Sequence, residues 1–374
     1  MISVLHIISG LKIGGAENAL YRLVTNFEKD NYSHRVISLT SGGSLLKQFE
    51  EAKIEVAQFD FKKNPIKQFW KLFIYIKSIK PDIVNTWMYH ANVIGGIAAR
   101  FAGIKKIIWG LRTTDANKGS KISTKAIRRI GGFLSYLIPK KIICVANAAK
   151  QSHLKIGYSE KKMIIINNGF DIFDLKFRVK SRQLLRSELG YKPNHVVIGS
   201  VGRFNKAKDH KNFIRAAGVV AKKNSNIRFL IIGKGISNKN IELFNWIESE
   251  NIQNKVNLME ERTDISFCLS AMDIFCLHSS REGFPNALVE AMLVGLPCVS
   301  TNVGDVNLLL NDIGVIVKKE DFLSLAKGIL KLVSLNSVER EVIASRSRDK
   351  ISKNFSIQAI CNQYESAYSG VLNG

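Results

Sequence analysis

At 374 residues the chain exceeds one typical domain and suits two, and with 46% hydrophobic residues it can build ordinary globular cores. Its five cysteines are odd in number and never form a Cys-x-x-Cys pair, which argues against a disulfide framework or a zinc site and for buried apolar use in a reducing cytoplasm. The net charge of +24 is densest between Phe61 and Ile130; it suits an anionic lipid surface, and no recognised motif points to nucleic acid.

The apolar N-terminus lacks a basic leader and runs straight into a glycine turn, so it reads as a first strand rather than a signal peptide. Strands are then predicted at Ser3–Ile8, His34–Leu39, Ile54–Phe59, Asp82–Thr86, Lys106–Trp109, Lys141–Val145 and Met163–Ile166. Helical stretches such as Ala16–Phe27, Ile66–Ile79 and Asn92–Phe101 lie between them. That alternation implies parallel sheets with right-handed crossovers. A second series follows at His195–Val201, Arg228–Ile232, Asp273–His278 and Pro297–Ser300, near-continuous apolar runs that fit strands covered on both faces. The polar, basic stretch 171–192 between the two series reads as an interdomain connection. The expected organisation is a domain over 1–170, a linker over 171–192 and a domain over 193–354, with the tail 355–374 returning to the first domain. No run approaches the ~18 apolar residues of a spanning helix, so the protein is expected to be soluble or to lie on a membrane surface.

In doubly wound domains ligands sit at the carboxyl ends of the strands, and the motifs fall there. Ser279–Ser300 reads SSREGFPNALVEAMLVGLPCVS. Pro285 suits a helix start, and the N–H groups of Asn286, Ala287 and Leu288, with the helix dipole, suit a diphosphate. Glu282 can accept hydrogen bonds from sugar hydroxyls. Glu290, one turn after Asn286 on the same face, can accept from ribose hydroxyls. Gly283 permits close backbone approach. Val201-Gly202-Arg203-Phe204 with Lys208-Asp209-His210 places two cations five apart between a strand and a helix, where they can offset the charge of a leaving diphosphate. Gly14-Gly15-Ala16-Glu17 follows the first strand and could turn backbone N–H groups toward a phosphate.

The string from Glu282 to Pro297, with its Glu-x7-Glu pair, Phe284, Pro285, Asn286 and Gly295, resembles glycosyltransferase family 4, the retaining transferases of GT-B fold. The resemblance runs from Gly14 to Val317 and implies two doubly wound Rossmann-like α/β domains facing across a cleft. It assigns the donor diphosphate to Arg203 and Lys208, with Glu282 and His90 beside the donor sugar. Gly14, Gly15, Arg262, Gly283, Phe284, Asn286, Ala287, Leu288 and Glu290 complete the donor site, and Arg112 would face the acceptor. Where the family has Phe-Leu-Gly, this chain has Leu258-Met259-Glu260-Glu261 before Arg262.

The resemblance implies transfer of a hexosyl or N-acetylhexosaminyl group from a nucleotide-sugar, by family frequency a UDP-sugar. The acceptor would be a glycan, often lipid-linked, in cell-surface polysaccharide or lipopolysaccharide synthesis at the cytoplasmic face of the inner membrane. A nucleotide-sugar epimerase on the same fold, or a catalytically silent membrane-associated partner subunit, are the alternatives. No Asp-x-Asp dyad or His/Cys cluster has metal-ligand spacing, so neither metal nor cofactor is expected. Lys67, Lys71, Lys77 and Lys80 among Phe69, Trp70, Phe73, Ile74 and Ile76 are expected to meet an anionic membrane. Lys118, Lys121, Lys125, Arg128, Arg129, Lys140 and Lys141 beside Phe133, Leu134, Tyr136 and Leu137 extend that surface.

Overall fold

The computed structural model describes residues 1–28, 30–114 and 122–374. The chain divides into two compact units, Met1–Gly169 with Phe355–Gly374, and Phe170–Asn354.

The first unit holds β1 (Ile2–Ile8), β2 (Tyr32–Ser38), β3 (Glu55–Gln58), β4 (Ile83–Trp87), β5 (Ile107–Leu111), β6 (Lys141–Cys144) and β7 (Met163–Ile165). Every pairing is parallel, in the order β3-β2-β1-β4-β5-β6-β7. The order reverses between β1 and β4, which makes the carboxyl ends of those two strands the topological switch point. β4 and β5 are buried along their whole length, as parallel strands covered on both faces must be. The last helix, Ile357–Leu372, is capped by Ser356 and buries Ile360, Cys361, Tyr364, Ala367, Tyr368 and Val371. These residues join Leu20, Val24 and Phe27 of the helix Gly15–Asn26 and its C-cap in one core. Tyr368 accepts a hydrogen bond from Asn85 Nδ2 at 3.0 Å inside that core.

The second unit holds β8 (Val196–Val201), β9 (Ile227–Ile232), β10 (Val256–Met259), β11 (Ile274–Leu277), β12 (Cys298–Thr301) and β13 (Val315–Val317). The order β10-β9-β8-β11-β12-β13 is again all parallel, with its switch point between β8 and β11. The sequence pattern missed β10 and β13. Both are edge strands of intermediate burial, so neither shows a continuous apolar run. The expected linker 171–192 also needs correction, because it carries the helix Val179–Glu188 within the second unit. Arg182 and Arg186 of that helix reach Asp273 at 2.6 and 3.0 Å, so its polar side is a docking face.

Buried histidines should make both units acid-sensitive. Trp87 Nε1–H donates to His6 Nδ1 at 3.2 Å, so His6 presents Nε2–H to His34 Nδ1 at 2.9 Å. Burial holds His6 well below the usual imidazole value and lowers His34 to about 4. Burial also lowers His153 and His210 to about 4 and depresses His278. The unfolded chain therefore binds more protons than the folded one below pH ~6.5. Stability should be flat above pH ~7 and fall from pH ~6.5 toward 4. The loss is on the order of 2 kcal/mol at pH 5 for His34 alone. Thermal melts between pH 7.5 and 5.0 check this: Tm should fall steadily, and an unchanged Tm contradicts it.

Candidate functional site

The site of the second unit grows from its switch point. β8 ends at Val201 and hands the chain to Gly202. A Cβ on Gly202 would lie 3.2 Å from Lys208 Cε, so glycine leaves the lane in which the lysine stem runs. At Asp209 the backbone turns sharply (φ 54°, ψ 49°), and the Asp209 carboxylate caps the helix His210–Lys223. His278, one residue past β11, holds this turn from below. Its Nδ1–H donates to the Lys208 carbonyl at 2.6 Å, and its Nε2 accepts from Ser200 Oγ at 2.7 Å. The ring stacks on Phe213 with centroids 4.7 Å apart. Ser280 N–H donates to Ala207 O at 2.9 Å and clips the two loops together.

At the top of this framework Lys208 Nζ lies 2.6 Å from Glu282 Oε1, and Ser279 Oγ donates to the same oxygen at 2.6 Å. The side chains are only 22% and 13% exposed, so the pair is sheltered yet reachable. Sequence reasoning gave Lys208 and Glu282 separate tasks; 74 residues apart in the chain, they form one ion pair. Ser279 was missed as their third member. Its place three residues before Glu282, within the motif, was the available signal. Gly283 earns its glycine-rich setting through Gly304, whose φ is 54° and whose Cβ would strike Gly283 O.

The helix Asn286–Val294 begins after Pro285 without a side-chain cap. Its first turn is less open than expected. Asn286 N–H donates to Phe284 O at 3.1 Å and Leu288 N–H to Pro285 O at 3.0 Å, which leaves Ala287 as the N–H of the three without such a bond among the described residues. Glu290 sits at intermediate burial one turn on, and Phe284 packs near Phe170. Arg203 is exposed beside Gly202. Arg262, which the resemblance gives to the donor, pairs with Asp264: its Nε and Nη2 bind that carboxylate at 2.8 and 2.6 Å, which also raises its pKa.

In the first unit Gly14 is the extended N-cap of the helix Gly15–Asn26. A Cβ there would strike the Glu17 carboxylate, which folds over the helix start. The glycine turn is therefore filled by an acid that sequence reasoning left without a role. His90 is exposed just past β4, and partial burial of its ring still lowers its pKa. Arg112, which the resemblance turns toward the acceptor, is held by the fold. Its guanidinium lies 4.4 Å from the Trp87 ring centroid and bonds Asn168 Oδ1 at 2.6 Å and Tyr364 Oη at 3.3 Å. It thus fastens the C-terminal helix to β4. Among the described residues no group of three or more His, Cys, Asp or Glu side chains could hold a metal ion, and no helix is long and apolar enough to cross a membrane.

Two family models match the chain in tandem: Glycosyltransferase Family 4 over residues 13–172, and Glycosyl transferases group 1 over residues 181–353. The chain is 27% identical to the capsular polysaccharide biosynthesis glycosyltransferase CapM of Staphylococcus aureus, over 92% of this chain and 91% of CapM. It is likewise 27% identical to the Escherichia coli UDP-Gal:alpha-D-GlcNAc-diphosphoundecaprenol alpha-1,3-galactosyltransferase, over 78% of this chain and 76% of that enzyme. Among solved structures, Anabaena HepE in complex with UDP superposes with a TM-score of 0.87 at 22% identity, covering 99% of this chain and 100% of HepE. The chain belongs to the family 4 glycosyltransferases and has their GT-B fold.

Proposed function

We propose that this enzyme moves a hexosyl or N-acetylhexosaminyl group from a UDP-sugar to a hydroxyl of a lipid-linked glycan, with retention at the anomeric carbon, in the synthesis of a cell-surface polysaccharide. The observation that carries the reading is the sheltered Lys208–Glu282–Ser279 cluster at the β8/β11 switch point. A cation and a hydrogen-bond acceptor 2.6 Å apart suit a donor whose phosphate and sugar hydroxyls are neighbours. The names of the E. coli relative and of HepE bound to UDP-glucose support a UDP-sugar donor, and the former a diphosphate-linked lipid acceptor.

In this reading a sugar hydroxyl donates to Glu282 while a phosphate oxygen of the donor shares Lys208 Nζ. The bond from the anomeric carbon to the phosphate oxygen breaks, and the diphosphate leaves with the electron pair. Lys208, Arg203 and the Ala287 N–H offset that charge. The acceptor oxygen bonds the anomeric carbon on the same face, and its proton passes to the departing phosphate oxygen. Glu290 takes ribose hydroxyls. No metal is needed, so turnover should survive EDTA; loss that magnesium restores would contradict this. Thermal stabilisation against a panel of nucleotide sugars tests the donor assignment: UDP-sugars should raise Tm above other nucleotide sugars. An epimerase, by contrast, would convert its donor with no acceptor present.

The membrane partner belongs to the same proposal. The helix Pro65–Ile79 buries Leu72 and Ile76 but exposes Ile66, Trp70 and Ile74 among Lys67, Lys71 and Lys77. Ile76, read from sequence as part of the lipid face, thus belongs to the core. Exposed Phe101, Ile130, Phe133, Tyr136 and Leu137 add apolar surface. Lys118 and Lys121 lie outside the described residues. Each lysine near an anionic surface adds roughly 1 kcal/mol. The protein should float with vesicles containing anionic lipid at low salt and be released at high salt. Absence of co-flotation at low salt sinks the docking.

A further inference from the structure

His278 is only 2% exposed, beneath the Lys208–Glu282 pair, and it joins three segments far apart in the chain. Its Nε2 accepts from Ser200 Oγ of β8 at 2.7 Å, and its Nδ1–H donates to the Lys208 carbonyl at 2.6 Å. A carbonyl can only accept, so the proton must sit on Nδ1, and the Ser200 hydroxyl on Nε2 favours the same tautomer. Burial first, then the neighbouring His210, keeps the ring neutral, so it remains one donor and one acceptor. The next residue, Ser279, serves the other half of the pair. Its Oγ donates to Glu282 Oε1 at 2.6 Å, while its own carbonyl accepts from Thr301 Oγ1 at 2.6 Å. Two adjacent residues thus hold the backbone of the cation and the carboxylate of its partner.

The lysine stem has four free rotors, so the position of Nζ depends on where the backbone starts and on the lane the stem follows. The lane is the bare face of Gly202, where a Cβ would come within 3.2 Å of Lys208 Cε. The start is fixed on both sides of the residue. Lys208 N–H donates to Asn205 O at 3.1 Å and to Asn205 Oδ1 at 3.0 Å, and the Lys208 carbonyl accepts from His278. Asp209 follows with φ 54°, a left-handed conformation that is costly for a residue with a Cβ, so the turn keeps its form only while its neighbours are fastened. A displacement of ~1 Å at such a site can cost about 10²-fold in rate.

We propose that His278 is a positioning residue for sugar transfer: by holding the Lys208 carbonyl it sets where Nζ meets the leaving diphosphate, and its effect runs through the Lys208 side chain. The inference rests on reading the Lys208–Glu282 pair as the clamp on that diphosphate.

UDP is the leaving group with its charge fully developed, so calorimetric titration with UDP, with Tm measured in parallel, tests the role. Lys208→Ala should weaken UDP binding by about tenfold or more. His278→Phe keeps a ring against Phe213 but has no donor, and it should weaken UDP by about fivefold. His278→Asn loses the ring but offers an N–H near the Nδ1 position, and it should rescue binding to within about twofold of wild type. Lys208→Ala still presents a carbonyl for His278 to hold. Adding His278→Phe to it should therefore lower Tm as much as His278→Phe does alone, yet leave UDP affinity within about twofold of Lys208→Ala. In transfer assays kcat of His278→Phe should fall by about tenfold while KM for the UDP-sugar moves less. His278→Leu, which has the shape of asparagine without its donor, replaces His278→Phe where the larger ring prevents folding. Equal UDP affinity in wild type and the donorless variant, or a further loss when that variant joins Lys208→Ala, overturns the inference while the clamp stands. So does His278→Asn binding as weakly as the donorless variant, because the ring rather than the hydrogen bond would then matter. UDP bound equally by wild type and Lys208→Ala overturns the clamp reading, and the role of His278 falls with it.

Discussion

Lys208→Ala should lower kcat by about 10²-fold or more, with a smaller change in KM. The lysine Nζ is the sheltered cation at the β8/β11 switch point, and its partner Glu282 remains held by Ser279 Oγ when the lysine is gone. A charge that strengthens its contact as the diphosphate leaves acts on the transition state more than on the bound donor. The local fold should survive, because the turn depends on the Lys208 carbonyl and on the Asp209 cap, neither of which the substitution removes. Steady-state kinetics on the purified variant, with its Tm measured in parallel, make the check. Near-normal turnover in a folded Lys208→Ala protein would remove Lys208 from the mechanism.

Asp273→Asn should lower the stability of the second unit by about 3 kcal/mol. Asp273 accepts from Arg182 Nη2 at 2.6 Å, from Arg186 Nη1 at 3.0 Å and from Val197 N–H at 2.7 Å. It therefore ties the helix Val179–Glu188 to the starts of β8 and β11. The amide supplies one acceptor oxygen where three donors converge and turns an N–H toward a guanidinium. Arg186 is a buried residue and keeps its carbonyl partners Ala271 and His195, so the cost is not the loss of the whole network. Calorimetry should show a Tm drop of roughly 6–12 °C. An unchanged Tm would mean that the pair is screened as an ordinary surface bridge.

Interior strands were readable in the sequence because parallel strands covered on both faces must be apolar throughout, as β8, β9 and β11 are. β10 and β13 escaped because a sheet edge asks for less burial. The helix Val179–Glu188 escaped for a related reason: it docks through arginines, which in a linear reading look like solvent-exposed residues. The site shows the same limit. Motif spacing marked Lys208, Glu282 and the helix at Asn286, since strand ends and helix starts have local signatures. It could not show that Lys208 and Glu282 meet, that Ser279 joins them, or that Glu17 covers Gly14, because those are contacts of side-chain direction. The contacts of Arg112 were hidden for the same reason. Its position after β5 was visible, whereas Trp87, Asn168 and Tyr364, which occupy it, lie at scattered positions in the chain.

The central claim is that this chain transfers a sugar from a nucleotide donor, and mass analysis of the acceptor tests it most directly. Incubated with UDP-sugars and a diphosphate-linked lipid glycan, the protein should add one hexosyl or N-acetylhexosaminyl unit to the acceptor and release UDP in equal amount, with both products much reduced for Lys208→Ala. An acceptor of unchanged mass across the donor panel, with the UDP-sugar recovered intact or converted to its epimer, would contradict it.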